Sequence, residues 1–399
     1  MSATRTSDIF EVICGTKITF FLKPTKREIK KRTNNKYQPI FNYLCTYNQV
    51  KTMNKAQIID LFTSLGERLA TFGNDELSRQ TLEKAMADNS WFSEIEIRQA
   101  IDALRVQMLD KDKLCVWLDR YPSLPTNSPR KVLVVMAGNI PLVGFFDLLC
   151  VVASGNRCLV KPSSKDQALM QYIVDQLLDI APHTAIELFN GQTTPDAVIA
   201  TGSDNAVRHF RTEYGQLSLL LRGSRSSCAI LTGEEASEDL SRLCNDIYMY
   251  SGLGCRNVSL IFVPDNYDIA PLANALQQHP KHNIGYLNNY RQRKALMQMN
   301  GVEHTDLGHS LLIEERAFPT SISQINIARY SSLTEVAEWL ADHDAKIQCV
   351  ACNDLKFTQR YAQTCQPLLR AVPIGTTQTP ALTDYPDAAD VMEWLKNLA

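Results

Sequence analysis

The chain has 399 residues, of which 45% are hydrophobic and 21% charged, with a formal net charge of −2 at pH 7. That composition suits a globular protein with a large core and gives no overall attraction to nucleic acid. The longest apolar stretch, Ile140 to Ala153, is interrupted by Asp147 and is too short to span a bilayer.

Positive charge is concentrated at the start. Residues 1–52 carry ten Lys or Arg, including Lys30-Lys31-Arg32, against Asp8, Glu11 and Glu28. Such a run can serve as a nucleic-acid or membrane arm. This segment lacks hydrophobic periodicity, however, and its composition differs from the rest, so a poorly ordered extension is expected, with the working protein starting near Met53. Its apolar stretch Ile18–Leu22 is too short for the core of a secretory signal. Eleven scattered cysteines, an odd number, fit free thiols in a reducing, cytoplasmic compartment.

From Asn54 to about Arg120 apolar residues recur three and four apart, which predicts helices over Asn54–Phe72, Asp75–Ala87 and Ser93–Leu109. Asn54, Asp75 and Ser93 are suited to cap them. Pro122, Pro125 and Pro129 mark a loop. From Lys131 the texture changes to short apolar runs rich in β-branched residues, alternating with helical stretches. The expected order is strand Val132–Met136, helix Val143–Val152, strand Cys158–Val160, helix Asp166–Asp179 and strand Ile186–Phe189. A short helix opened by Pro195, strand Val198–Thr201, helix Asn205–Tyr214 and strand Leu217–Leu221 follow. A second series runs through strand Cys228–Leu231, helix Glu238–Tyr250, strand Val258–Val263 and helices Ile269–Gln278 and Asn289–Met299. It ends with strands Ser310–Ile313 and Ile325–Tyr330, helix Leu333–Asp342, strand Ile347–Ala351 and helix Leu355–Cys365. Buried strands alternating with helices imply parallel sheets joined by right-handed crossovers. The expected fold class is α/β, with two Rossmann-like parallel-sheet lobes meeting at the polar stretch Arg222–Ser227 and a helical segment in front.

Four short motifs carry chemistry. Ala137-Gly138-Asn139-Ile140-Pro141 follows a strand, where loops line a ligand crevice; Gly138 lets the backbone approach closely, and the Asn139 amide either donates into the crevice or caps the next helix. Val160-Lys161-Pro162-Ser163-Ser164 puts a lysine at the next strand end, as a charge for a phosphate or ribose or as an ordinary surface group. Ala200-Thr201-Gly202-Ser203-Asp204 is a strand turning into a helix, which makes either an anion site from backbone N–H groups or a plain capped turn. Tyr250-Ser251-Gly252-Leu253-Gly254-Cys255-Arg256-Asn257 presents a thiol on a glycine-flanked turn, with Arg256 adding positive charge that favours thiolate. An inert buried cysteine is the common alternative; it suits Cys349 and Cys352, which share an apolar run, better than Cys255. His279-Pro280-Lys281-His282 has no partner motif, and no metal site is expected.

The order and spacing of these motifs resemble the aldehyde dehydrogenase superfamily and, within it, the LuxC-type fatty acyl-CoA reductases. The closing stretch from Val372 to Leu382, and Tyr286–Tyr290 with Lys294-Ala295, strengthen the likeness, which covers about Met53 to the C-terminus. The resemblance implies Cys255 as the catalytic thiol, Asn139 in the oxyanion hole, Lys161 with Ser163 and Ser164 near the adenosine ribose, and Thr201, Gly202 and Ser203 against the cofactor phosphates. It implies a cofactor-binding domain with the helical segment over residues 53–225, a catalytic domain over 226–372, and a segment 373–399 packing back on the cofactor domain. The sequence departs from aldehyde-oxidising relatives at Leu221, where they often place a glutamate base, and at Ser164, where NAD-preferring ones often place a glutamate. Those departures favour NADPH over NADH and acyl exchange with a thiol over hydrolysis. The expected activity is NADPH-dependent reduction of an acyl group, carried on CoA or on acyl carrier protein, to the aldehyde by an oligomer of this chain. Rival readings are oxidation of aldehyde to free acid, thiol acyl transfer or hydrolysis without hydride chemistry, and a non-catalytic scaffold.

Overall fold

The computed structural model describes residues 9–14, 17–22, 53–279, 283–354, 357 and 370–398. The run Lys30-Lys31-Arg32, His282 and all of the predicted helix Leu355–Cys365 except Phe357 lie outside the described residues. The chain divides into two compact units, Met1–Val50 and Lys51–Ala399. In the first, Ile9–Cys14 (β1) pairs antiparallel with Lys17–Leu22 (β2) where no element was predicted. Both strands are rich in β-branched and aromatic residues, the composition that favours pairing.

The larger unit opens with four helices, Lys55–Leu69 (α1), Glu76–Asp88 (α2), Glu94–Gln107 (α3) and Lys111–Asp119 (α4). The predicted caps form: Asn54, Asp75 and Ser93 each accept from a backbone N–H three residues on, and Asn54 and Ser93 complete capping boxes. Asp110 caps α4, which was not separated from the preceding periodicity in the sequence.

The first lobe follows as Lys131–Val135 (β3), Phe145–Ala153 (α5), Arg157–Lys161 (β4), Gln167–Ile180 (α6), Ile186–Leu188 (β5), Ala197–Thr201 (β6), Asp204–Tyr214 (α7) and Ser218–Arg222 (β7). Its five strands are all parallel, in the order β5-β4-β3-β6-β7. The short helix expected at Pro195 does not form. The Asp196 N–H instead donates to the Lys131 carbonyl, and the Asp196 carboxylate accepts from the Lys131 N–H, which commits this loop to the start of β3.

Three residues after β7 the chain enters Ser226–Ile230 (β8), followed by Ser237–Tyr248 (α8), Val258–Pro264 (β9), Ala270–Gln278 (α9), Ile284–Met299 (α10), Thr305–Asp306 (β10) and Leu311–Glu314 (β11). Gln324–Tyr330 (β12), Leu333–Asp342 (α11), Ile347–Ala351 (β13), Ala371–Val372 (β14) and Val391–Lys396 (α12) complete the described elements. The second sheet runs β10-β11-β12-β9-β8-β13-β14 and is parallel apart from the β10–β11 pair. Helix α10 starts five residues before its predicted start at Asn289, because Asn283 caps it by accepting from the Tyr286 N–H. The helix predicted to Tyr250 ends at Tyr248 and breaks into left-handed backbone at Tyr250 and Ser251.

The largest core lies on one face of the first sheet, where Phe62, Trp117, Phe145 and Leu149 are buried together with Val391, Met392 and Leu395 of α12. Trp117 donates from its indole N–H to the Tyr385 hydroxyl at 2.7 Å, and Tyr121 donates to Asp390 at 2.7 Å. Among the described residues no helix is long and apolar enough to cross a membrane.

Candidate active site

The first sheet grows in both directions from β3, outward through β4 and β5 on one side and through β6 and β7 on the other. Its switch point therefore lies between β3 and β6, and ligand crevices in parallel sheets open at the carboxyl ends flanking such a point. The loops leaving those ends are the ones that carry Asn139 and Gly202. Because β7 passes into β8 over residues 223–225, this carboxyl edge faces the amino edge of the second sheet. A cavity of about 720 Å³ lies between the two edges. It is lined by Asn139, Thr201, Gly202 and Ser203 from one lobe and by Gly254, Cys255 and Thr320, which precede β9 and β12, from the other.

The loop bearing Cys255 is held by one buried side chain. Asn257 accepts from the Gly254 N–H at 2.8 Å and donates to the carbonyls of Asp246, Ile247 and Met249. It thereby satisfies the carbonyls that α8 leaves open at its end. Left-handed φ angles at Tyr250 (52°), Ser251 (54°) and Gly252 (70°) turn the chain back toward the cleft. The buried hydroxyl of Ser227 donates to the Cys255 carbonyl at 2.9 Å. Cys255 is exposed, whereas Cys349 and Cys352 are buried in and beside β13.

The cleft walls around the Cys255 thiol push it up to about 11, because the desolvation they impose opposes the charged form and outweighs the lowering influence of Arg256. Arg256 thus acts in the expected direction, lowering the thiol, but desolvation is the larger influence. The Arg256 guanidinium donates to the Asp384 carbonyl at 2.7 Å and does not overcome desolvation. Alkylation of Cys255 by iodoacetamide should therefore accelerate about tenfold per pH unit above neutrality, as the thiolate fraction grows. No plateau is expected until pH approaches 11. Arg256→Ala should move the inflection higher still, and a plateau below pH 8 by mass spectrometry would contradict this picture.

Asn139 is exposed, and its amide donates to the Leu253 carbonyl at 2.7 Å, which ties the loop after β3 to the nucleophile loop. Gly138 permits the close backbone approach expected of it, here to the loop after β4. A Cβ there would lie 2.5 Å from the Ser163 hydroxyl, so the glycine admits the neighbouring loop rather than a ligand. Ser163 lines the cavity beside Lys165. Ser203 caps α7 by accepting from the Ala206 N–H, and the backbone at Gly202 is exposed to the cavity without a Cβ to cover it. Lys161 and Ser164 are exposed at and beyond the end of β4 but do not line the cavity; the Lys161 ammonium lies 6.0 Å from the Phe189 ring centre. A switch-point crevice with a bare glycine at a helix N-terminus fits a dinucleotide, whose phosphates such termini hold. Among the described residues, no three or more His, Cys, Asp or Glu side chains are grouped so that they could hold a metal ion.

Two features of the cavity were not anticipated. Arg222 at the end of β7 donates through Nη1 to Asp147 of α5 at 2.6 Å, with both side chains buried. Arg222 Nε and Nη2 and Asp147 Oδ1 have no partner. Each member, though not their pairing, left a signal in the sequence, as a lone aspartate inside the apolar stretch Ile140–Ala153 and an arginine closing an apolar strand. The second feature is the segment after β14, which lines the cavity with Gln378, Asp384 and Asp387. Asp246 anchors it by accepting from the N–H groups of Gly375 and Thr377, and Arg225 pairs with Asp387 at 3.0 Å.

Residues 53–288 match the family model described as acyl-CoA reductase (LuxC). A long-chain acyl-protein thioester reductase of Aliivibrio fischeri is 24% identical over 269 residues, covering 60% of this chain and 53% of that protein. One from Photorhabdus laumondii is 22% identical over 273 residues, covering 58% of this chain and 56% of its own. The chain thus spans about half the length of these curated relatives. Among solved structures, a putative aldehyde dehydrogenase of Burkholderia cenocepacia superposes with a TM-score of 0.61 at 13% identity, over 82% of this chain and 80% of its own. An NAD-dependent benzaldehyde dehydrogenase of Corynebacterium glutamicum gives a TM-score of 0.60 at 14% identity, over 80% and 81%. At such identities the likeness is one of fold, and it establishes the expected aldehyde-dehydrogenase-like architecture.

Proposed function

The chain belongs to the LuxC family of acyl-CoA reductases, and from that premise we propose that it reduces a fatty acyl thioester to the aldehyde, with Cys255 as the nucleophile and NADPH as the reductant. The observation that carries this reading is the convergence of Cys255, Asn139 and the Gly202 turn on one cavity at the switch point of the first sheet. The acyl group arrives on CoA or on a protein carrier, the latter in keeping with the names of the curated relatives.

In this reading Cys255 loses its proton as it attacks the thioester carbonyl. A bond forms between its sulfur and the acyl carbon, the bond to the carrier sulfur breaks, and the carrier departs as a thiol with the proton. The second N–H of the Asn139 amide and the Cys255 backbone N–H hold the carbonyl oxygen as charge develops. Leu221 stands where aldehyde-oxidising relatives often place a glutamate base for water, which favours retention of the acyl group on sulfur over hydrolysis. A reduced nicotinamide, when bound, would supply the hydride that brings the acyl group to the aldehyde level, and the Cys255 sulfur leaves as thiolate and takes a proton from solvent. Ser203 at the start of α7 would hold its phosphates, Gly202 would leave their approach open, and Thr201 and Ser163 would lie beside them. Lys161 and the uncharged Ser164, just outside the cavity at the end of β4, would not repel a 2′-phosphate as a glutamate at position 164 would, which is the basis for preferring NADPH over NADH.

The test is intact-protein mass spectrometry after mixing with acyl-CoA in the absence of reductant. An acyl adduct on Cys255 that disappears when NADPH is added supports the proposal, and absence of any adduct removes it. Asn139→Ala is expected to lower the rate of adduct formation about 10²–10³-fold; a loss below threefold would take Asn139 out of the oxyanion site.

A further inference from the structure

The cavity that contains Cys255 has an apolar wall that the chemistry above does not use. Helix α3 contributes Ala100, Ala103 and Leu104, a spacing that sets them on one helical face, and Met108 at its C-terminal cap continues the wall. Val143 and Phe146, from the stretch that follows Asn139, line the same space. No side chain of this set can hydrogen-bond, so water here would lack partners and a hydrocarbon would displace it favourably. The face is also uneven. Leu104 and Met108 fill their positions, whereas Ala100 and Ala103 stop at Cβ and leave the cavity its depth. Ala100 is buried and Ala103 half-buried, so Ala103 is the position from which a larger side chain would intrude into open space.

We propose that this apolar arm holds the hydrocarbon chain of the thioester and that Ala103 of α3 sets the length it accepts. The proposal rests on Cys255 being the acyl acceptor. It assigns the helical segment, remote in sequence from every motif of the active site, a part in substrate choice. Each methylene that enters the arm is expected to improve capture about fourfold, until the chain meets the α3 wall. Substitution at Ala103 shortens the arm without touching Cys255 or Asn139.

The experiment is a competition on the full chain. Wild type, Ala103→Leu and Ala103→Trp are mixed with butyryl-, octanoyl-, dodecanoyl- and hexadecanoyl-CoA without reductant, and the Cys255 adducts are resolved by mass. The expected result is a hexadecanoyl-to-butyryl ratio that falls severalfold in Ala103→Leu and at least about tenfold in Ala103→Trp. Because misfolding lowers every adduct alike, the ratio reports the arm rather than the fold, and the smaller leucine serves if the tryptophan variant fails to fold. An unchanged ratio in the variants that fold, or an equal loss at all chain lengths, overturns the assignment while leaving Cys255 in place. Absence of every adduct in wild type instead removes the proposed activity, and the arm's assignment with it.

Discussion

Cys255→Ala is expected to abolish the acyl adduct and to lower thioester reduction at least about 10⁴-fold, the scale seen when a covalent nucleophile is removed. The size of the effect follows from the site's construction. The other cysteines that line the interior, such as Cys349 with its sulfur 3.2 Å from the Ser227 hydroxyl, are buried and do not open on the cavity. Among the described residues, no other cysteine lines the cavity to take over the acyl group. The fold should be untouched, since Asn257 and Ser227 hold the loop through backbone atoms of its neighbours and of Cys255 itself, not through the sulfur. NADPH consumption by this variant within tenfold of wild type, with an unaltered melting temperature, would mean that the reaction runs without a covalent intermediate on Cys255.

Asp147→Ala is the substitution with the largest expected effect on stability, about 3–5 kcal/mol, because it strands a buried guanidinium without its counter-charge. Arg222 already has two unpartnered donor atoms; removing Asp147 takes away its one ion-pair partner. Replacing both residues, as Asp147→Leu with Arg222→Met, should restore much of the loss, since an apolar pair of similar volume has no desolvation cost to offset. Urea unfolding of the three proteins checks this. If the single and double variants unfold at the same midpoint, the pair contributes through packing rather than charge.

The parallel strands were legible because strands covered on both faces read as unbroken apolar runs. β3, β4, β6, β8, β9 and β13 fall within a few residues of their predicted bounds. The capped helices were legible because a cap is local chemistry, readable from Asn54, Asp75 and Ser93 alone. What the sequence withheld depends on distant partners. The six-residue α12 is too short to show a period, and it is held by burial of Val391 and Leu395 in the first lobe's core. The Pro195 turn has helical composition but is claimed by the start of β3. At the site, the motifs marked which loops matter, and strand order explains why the loops after β3 and β6 meet. The influence of Arg256 on Cys255 was read with the right sign but without the opposing desolvation, which only the packed structure supplies. The Asp147–Arg222 pair joins residues 75 positions apart, and nothing in either local sequence announces the other.

The polypeptide passes from the first lobe to the second at residues 223–225 and returns after β14 to reach α12. Arg225 and Asp387 belong to the outgoing and returning crossings and are bonded to each other, so the two crossings lie side by side. Two covalent links fastened together behave as one pivot. Any widening of the gap is therefore expected to be a rotation about that point, with the greatest travel at the rim farthest from it.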